Sequence, residues 1–181
     1  MRVVKLGGSL LETGKLFDCL KHIISQNQKT VVVCGGGVFA DTVRNAQKKW
    51  LFNDVAAHEM ALLAMQQNAL MCQSLQPEFV LFSKTSDFRQ QHFSIWSPDI
   101  AELNANNITP SWEITSDSLA AWLTKKLQAQ KLIVVKPEKI EPSNTPFDLM
   151  ELEIVDEAFP DFVENAPFEL EVLSAWKFLR T

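Results

Sequence analysis

The sequence predicts an α/β fold, a three-layer αβα sandwich about a mostly parallel central sheet. Three observations carry this. Arg2–Leu6 is a short apolar run closed by Gly7-Gly8-Ser9, and residues 10–26 then continue at helical spacing. The pattern is written again: Thr30–Cys34, then Gly35-Gly36-Gly37, then helical character over 38–49. A later pair, 116–130 and 131–135, extends the alternation of helix and buried strand. Near-continuous apolar strands that alternate with helices belong to a parallel sheet covered on both faces.

Each element has its own justification. Over 10–26, Leu10, Leu11, Leu16, Phe17, Leu20, Ile23 and Ile24 recur at helical intervals. Residues 54–70 are apolar nearly all round, which predicts a buried helix. Residues 78–83 and 92–97 are strand candidates. The helix over 116–130 has Ser116 as a capping residue and Asp117 in its first turn, where negative charge suits the dipole. Residues 131–135 form a strong buried strand, 136–146 read as a proline-containing loop, 156–164 as a short helix and 168–173 as a last strand. No linker interrupts the pattern, so residues 1–181 are expected to form a single domain.

Composition narrows the function. Of 181 residues, 46% are apolar and 22% charged, as expected of a globular chain with a substantial core. Lys plus Arg number 17 against 22 Asp plus Glu, a net charge of −5, which argues against a nucleic-acid partner. No apolar run reaches the roughly 20 residues that span a bilayer, and the N-terminus lacks a signal-peptide pattern. A cytoplasmic protein with no membrane partner is expected. Cys19, Cys34 and Cys72 show no CxxC spacing, and His22, His58 and His92 are scattered, so no protein-bound metal is expected.

The two glycine turns fall where ligands bind in parallel sheets, outside the carboxyl ends of the strands. There, unpaired amides and the positive end of a helix suit phosphate. The alternative is that the glycines only permit tight turns. Lys5 adds weight to the first reading. It stands in a strand otherwise made of Val3, Val4 and Leu6, where a lysine is costly unless it emerges at the end, close enough to reach a phosphate over residues 7–9. Neither turn is a Walker A or GxGxxG sequence.

VVKLGGSLLE (3–12), VVVCGGGVFADTVR (31–44) and TSDSLAAWL (115–123) resemble three signature segments of the amino-acid kinase superfamily. The helix DVAAHEMALLAMQQ (54–67) and the short chain are more specifically similar to its small members. Those are associated with methanofuran biosynthesis and convert an aminomethylfuran methyl phosphate to its diphosphate. The resemblance covers residues 1–140. It implies an ATP-dependent kinase, with magnesium carried by the nucleotide, a small-molecule acceptor, and a homo-oligomer of dimer or higher order. Residues 1–110 would form the acceptor side and 111–181 a reduced nucleotide side.

By the same resemblance, Lys5 would neutralise charge on the transferred group and Asp117 would orient it. Gly7, Gly8 and Ser9 would hold nucleotide phosphates, while Gly35, Gly36 and Gly37 would face the acceptor. The LTDVDG-like turn of the superfamily reads VVKPEKIEP (134–142), where Lys136 or Lys139 would serve the phosphates, and a GxGMxxK segment is absent. The alternatives are a non-catalytic nucleotide- or oxyanion-binding protein on this fold, or a kinase for a small carboxylate.

Asp54 and His58, four residues apart, can share a helix face. They are either a satisfied structural pair or contacts to the acceptor. Asp41 and Arg44 are either a solvated i,i+3 pair or place Arg44 on an acceptor phosphate. Cys34 reads as a buried inert thiol. Trp50, Trp96, Trp112 and Trp122 read as core or interface residues.

Overall fold

The computed structural model describes residues 1–137, 139–141 and 143–181. Glu138 and Pro142, within the expected 136–146 loop, lie outside the described residues. Six strands, β1 (Arg2–Leu6), β2 (Thr30–Cys34), β3 (Val80–Phe82), β4 (Phe93–Trp96), β5 (Lys131–Lys136) and β6 (Glu169–Ser174), form one sheet. Their order is β3-β4-β2-β1-β5-β6, and every neighbouring pair is parallel.

Because side chains alternate along a strand, each face of the sheet takes its own apolar set. Val3, Val31, Val33, Leu132 and Val134 pack with Leu119–Leu123 of α5 (Ser116–Lys126) and with Phe159 of α7 (Phe159–Val163). Val4, Leu6, Val32, Ile133 and Val135 pack with Leu16, Cys19, Leu20 and Ile23 of α1 (Lys15–Ser25) and Phe178 of α8 (Ala175–Phe178). Helices on both faces complete the αβα sandwich. α2 (Gly37–Trp50) packs along α3 (Asp54–Leu75), which contributes to both clusters, through Leu62 and Met65 on one side and Ala69 and Cys72 on the other.

The structure corrects three expectations and narrows a fourth. The helix expected from residue 10 begins at Lys15; a 3-10 turn (Gly8–Leu10) precedes it, and Gly14, at φ 69°, breaks the path between them. The helix expected to be buried over 54–70 is buried on one face only, with Val55, Met60, Leu63 and Leu70 exposed. Of the core-or-interface reading, the core half does not hold for Trp50, which stands 71% exposed at the end of α2, whereas Trp96 and Trp122 are buried. The loop expected over 136–146 is shorter at both ends: Lys136 closes β5, and α6 (Pro146–Glu151) starts at Pro146 on a reciprocal capping box between Thr145 and Asp148. The short α4 (Ile100–Ala105), capped by Asp99, is likewise not evident from periodicity. Among the described residues no helix is long and apolar enough to cross a membrane.

Candidate functional site

The centre of the site follows from sheet register. β1 and β5 are neighbours with Lys5 opposite Val134. Lys136, two residues further along β5, therefore projects from the same face as Lys5, and both leave the carboxyl end of the sheet. α5 crosses that end with Asp117 in its first turn. Lys5 Nζ lies 2.7 Å from Asp117 Oδ1, and Lys136 Nζ lies 2.8 Å from Oδ2. Lys136 donates a hydrogen bond to Oδ2, whereas Lys5 approaches Oδ1 as a close ionic contact off the hydrogen-bonding direction. Lys5 does not emerge into solvent as its strand-end position suggests; it is 2% exposed. The desolvation of its ammonium is only partly offset by the Asp117 charge.

The glycine turns meet above this cluster. Gly7 N–H donates to Val135 O at 3.0 Å, and Gly35 N–H to Leu6 O at 2.9 Å, so both amides extend the sheet. The expected phosphate role for the Gly7 amide is corrected accordingly: that donor is already used. The amides that open the Gly8–Leu10 turn and α2 have no intrahelical acceptor. They belong to Gly8, Ser9, Gly37 and Val38. The two turns touch through backbone: a Cβ on Gly8 would overlap the Gly37 amide nitrogen, and one on Gly35 would lie 2.6 Å from Gly8 N. Gly37 also holds φ +51°. Gly8→Ala must therefore push the turns apart, and a stability loss of about 1–3 kcal/mol is expected. A urea midpoint equal to wild type would show that the contact yields without strain.

A cavity of about 370 Å³ opens over the cluster. Its floor is Lys5, Asp117 and Lys136; one wall is Gly8, Ser9 and Gly35–Gly37; another is the α3 face His58, Ala61, Leu62 and Met65, spaced i, i+3, i+4, i+7. Asp41, Arg44, Trp112, Ile114, Thr115, Leu119 and Glu153 also line it. Arg44 is not ion-paired with Asp41 among the described residues; its guanidinium stacks 4.1 Å from the Trp112 ring centre. Trp112 Nε1 donates to Gln47 Oε1 at 2.6 Å, which fixes the indole under Arg44.

Three expected residues stand elsewhere. Gly7 is not in the lining, for the reason given. Asp54 does not meet His58: it accepts from Gln47 Nε2 at 2.8 Å, while His58 Nδ1 lies 3.1 Å from the Ser111 carbonyl. The i,i+4 spacing put them on one face, but tertiary partners claimed each. Lys139 is corrected as a site residue, since its side chain is 86% exposed and its ammonium pairs with Glu141 at 2.7 Å. Cys34 matches the inert-thiol reading. It lies buried, and the hydrogen bond to Cys72, 3.4 Å away, with burial holds its pKa well above the usual thiol value.

Asp156 is the residue that sequence reasoning missed. It lies between α6 and α7, and its carboxylate caps α5 from outside. Oδ2 accepts from Thr115 N (3.0 Å), Thr115 Oγ1 (2.7 Å) and Ser118 N (3.1 Å), and Oδ1 accepts from Ser118 Oγ. The expected cap, Ser116, is not the cap: Thr115 takes the N-cap position and uses no side-chain oxygen of its own. A second cavity of about 540 Å³ adjoins the first through Arg44, Trp112, Thr115, Asp117 and Lys136, and Asp156 lines it. A loop aspartate 38 residues or more from its partners leaves no local spacing signal.

The charges are unequal in their settings. Burial, only partly offset by Asp117, lowers the Lys5 pKa to about 8. Burial also acts on Lys136, yet its attraction to Asp117 prevails and raises its pKa. Burial would raise Asp117, but Lys136 and Lys5 outweigh it and hold the carboxyl at about 2. Lys5 is thus charged below about pH 8 and neutral above. Between pH 8 and its ordinary value of 10.5, the unfolded chain binds the extra proton, so this group makes stability rise with pH.

Residues 1–138 match the sequence model of the Amino acid kinase family. A curated relative from Methanocaldococcus jannaschii, (5-(aminomethyl)furan-3-yl)methyl phosphate kinase, is 30% identical over 139 residues. That match covers 74% of this chain and 64% of the relative's length. Among solved structures, uridylate kinase from Archaeoglobus fulgidus superposes with a TM-score of 0.74 at 19% identity, covering 99% of this chain and 94% of that one. UMP kinase from Bacillus anthracis gives 0.72 at 14% identity, covering 96% and 86%. Aspartate kinase from Synechocystis gives 0.71 at 14% identity, covering 97% of this chain and 38% of that chain. These likenesses show the fold.

Proposed function

We propose, for a chain that belongs to the amino acid kinase family, an ATP-dependent kinase that phosphorylates a small anionic acceptor. The preferred acceptor is a phosphomonoester of the aminomethylfuran methyl phosphate type, in methanofuran-type cofactor biosynthesis. The observation that carries this reading is the buried Lys5–Asp117–Lys136 cluster at the floor of a cavity walled by glycine turns.

Phosphoryl transfer needs positioning and charge stabilisation rather than a covalent protein intermediate. Both ammonium groups are held by one carboxylate, so they need not reorganise as charge develops on the transferred group. The Gly8 and Ser9 amides suit phosphate oxygens, because they open the Gly8–Leu10 turn with no intrahelical acceptor and both residues line the cavity. The amides of Gly37 and Val38, with Arg44 braced on Trp112, suit the phosphate of the acceptor. The nucleotide would approach from the larger cavity beside Lys136, on the side formed by residues 111–181, and the acceptor from the α2–α3 side within residues 1–110. Magnesium, which favours water and phosphate oxygens over a protein cage, would supply added charge neutralisation as part of the bound nucleotide. A second copy of the chain seated on the exposed apolar face of α3 completes the proposal.

Incubation with ATP, magnesium and a panel of phosphomonoester and carboxylate acceptors tests it, with ADP and a diphosphate product read by phosphorus NMR. ATP binding by calorimetry with no ADP from any acceptor would instead favour a nucleotide-binding protein without transfer. A basic limb near pH 8 is expected in kcat/KM, since activity requires the charged Lys5 and falls as it loses its proton. A profile flat to pH 10 would remove Lys5 from the rate-determining charge.

A further inference from the structure

We propose that Asp156 is a positioning residue for the transfer site: it clamps the first turn of α5 so that Asp117 stands between Lys5 and Lys136. The proposal rests on the phosphoryl-transfer reading above. Its basis is the placement of four hydrogen bonds on one carboxylate. They come from Thr115 and Ser118, the residues that bracket Asp117, and each supplies both its amide and its hydroxyl. Pinning the backbone on both sides leaves residue 117 little freedom to rotate about the helix axis. Asp117 then meets two ammonium groups from different strands at 2.7 and 2.8 Å. A fifth bond, between backbone groups, ties the same segments together, from Ala158 N to Glu113 O at 3.0 Å.

An ordinary capping residue could be local to the helix and would serve its stability alone. Here the cap comes from the α6–α7 connection, which lines the larger cavity together with Asp117 and Lys136. Asp156 is half-buried, and its charge acts on both lysines as well as on Asp117. Its position therefore couples the wall of one cavity to the floor of the other. Asp156 touches neither Lys5 nor Lys136 by hydrogen bond; beyond its field at the two lysines, it acts by holding the residues that flank Asp117.

The test uses the full chain with Asp156→Ala, Asp156→Asn and Ser118→Ala. The Asp156→Ala change is expected to lower kcat about 10–100-fold, as misplacement of a reacting group does, while KM for ATP stays within about threefold. Asp156→Asn keeps one acceptor oxygen and Ser118→Ala removes one bond, so graded smaller losses follow. The second readout is reductive methylation of lysines on the folded protein at pH 7, resolved by peptide mass spectrometry. Lys5 and Lys136 should become more reactive relative to the exposed Lys139, in the same order as the rate losses. Should Asp156→Ala fail to fold, the two milder variants decide. Unchanged kcat with unchanged Lys5 labelling, or a rate loss that tracks only the unfolded fraction, would overturn the proposal. Absence of ADP formation by the wild type would end the transfer reading. The labelling order would then still report whether Asp156 holds the lysines.

Discussion

Lys5→Ala is expected to lower turnover by on the order of 10²–10³, roughly 3–4 kcal/mol of transition-state stabilisation. As the phosphoryl group moves, negative charge spreads over its equatorial oxygens and onto the leaving oxygen. A fixed ammonium at the floor of the cavity stabilises that distribution more than the ground state. ATP affinity should fall less, because the amides at Gly8 and Ser9 and the Lys136 ammonium remain. Folding should survive for a reason the structure supplies. Lys5 is buried, but its removal leaves Asp117 paired with Lys136 at 2.8 Å and no orphaned charge. Single-turnover ADP formation alongside calorimetric ATP binding separates the two effects. Equal turnover in variant and wild type would make Lys5 a structural ion and sink the transfer mechanism proposed here.

Asp117→Asn should have the largest effect on stability, about 3–5 kcal/mol, because it leaves two neighbouring buried ammonium groups without their counter-charge. The deficit should depend on pH. Without the carboxylate, the Lys5 pKa falls below its wild-type value of about 8, so the lysine sheds its proton and the penalty shrinks as pH rises. Urea midpoints at pH 6.5 and 9.5 provide the measurement. A deficit that stays constant or grows with pH would contradict the charge argument. In activity, Lys5→Ala combined with Asp117→Asn should cost less than the sum of the two, since both act on one charge arrangement.

Much of this was legible in the chain. The strand–glycine–helix units fixed the fold class because β-branched runs and glycine breaks are local signals, and each appears where expected as β1 and β2. Lys5 was visible as a costly residue in an apolar strand, and Asp117 as an acid in a first turn. Lys139 and Asp54 were misplaced because spacing and charge do not say which partner a flexible side chain takes. Glu141 and Gln47 took them.

By itself, the sequence determined the alternation of strands and helices, the two glycine turns and the lysine and aspartate that meet beneath them. Tertiary structure alone decided that Lys136 joins Lys5 on one carboxylate, since that needs β5 beside β1 in a particular register. It alone brought Asp156 onto Thr115 and Ser118, and it alone used the Gly7 amide in the sheet. Periodicity is a property of neighbours along the chain. Register, strand order and long-range capping are set by how apolar faces close over one another, and residues far apart in sequence carry no local trace of that closure.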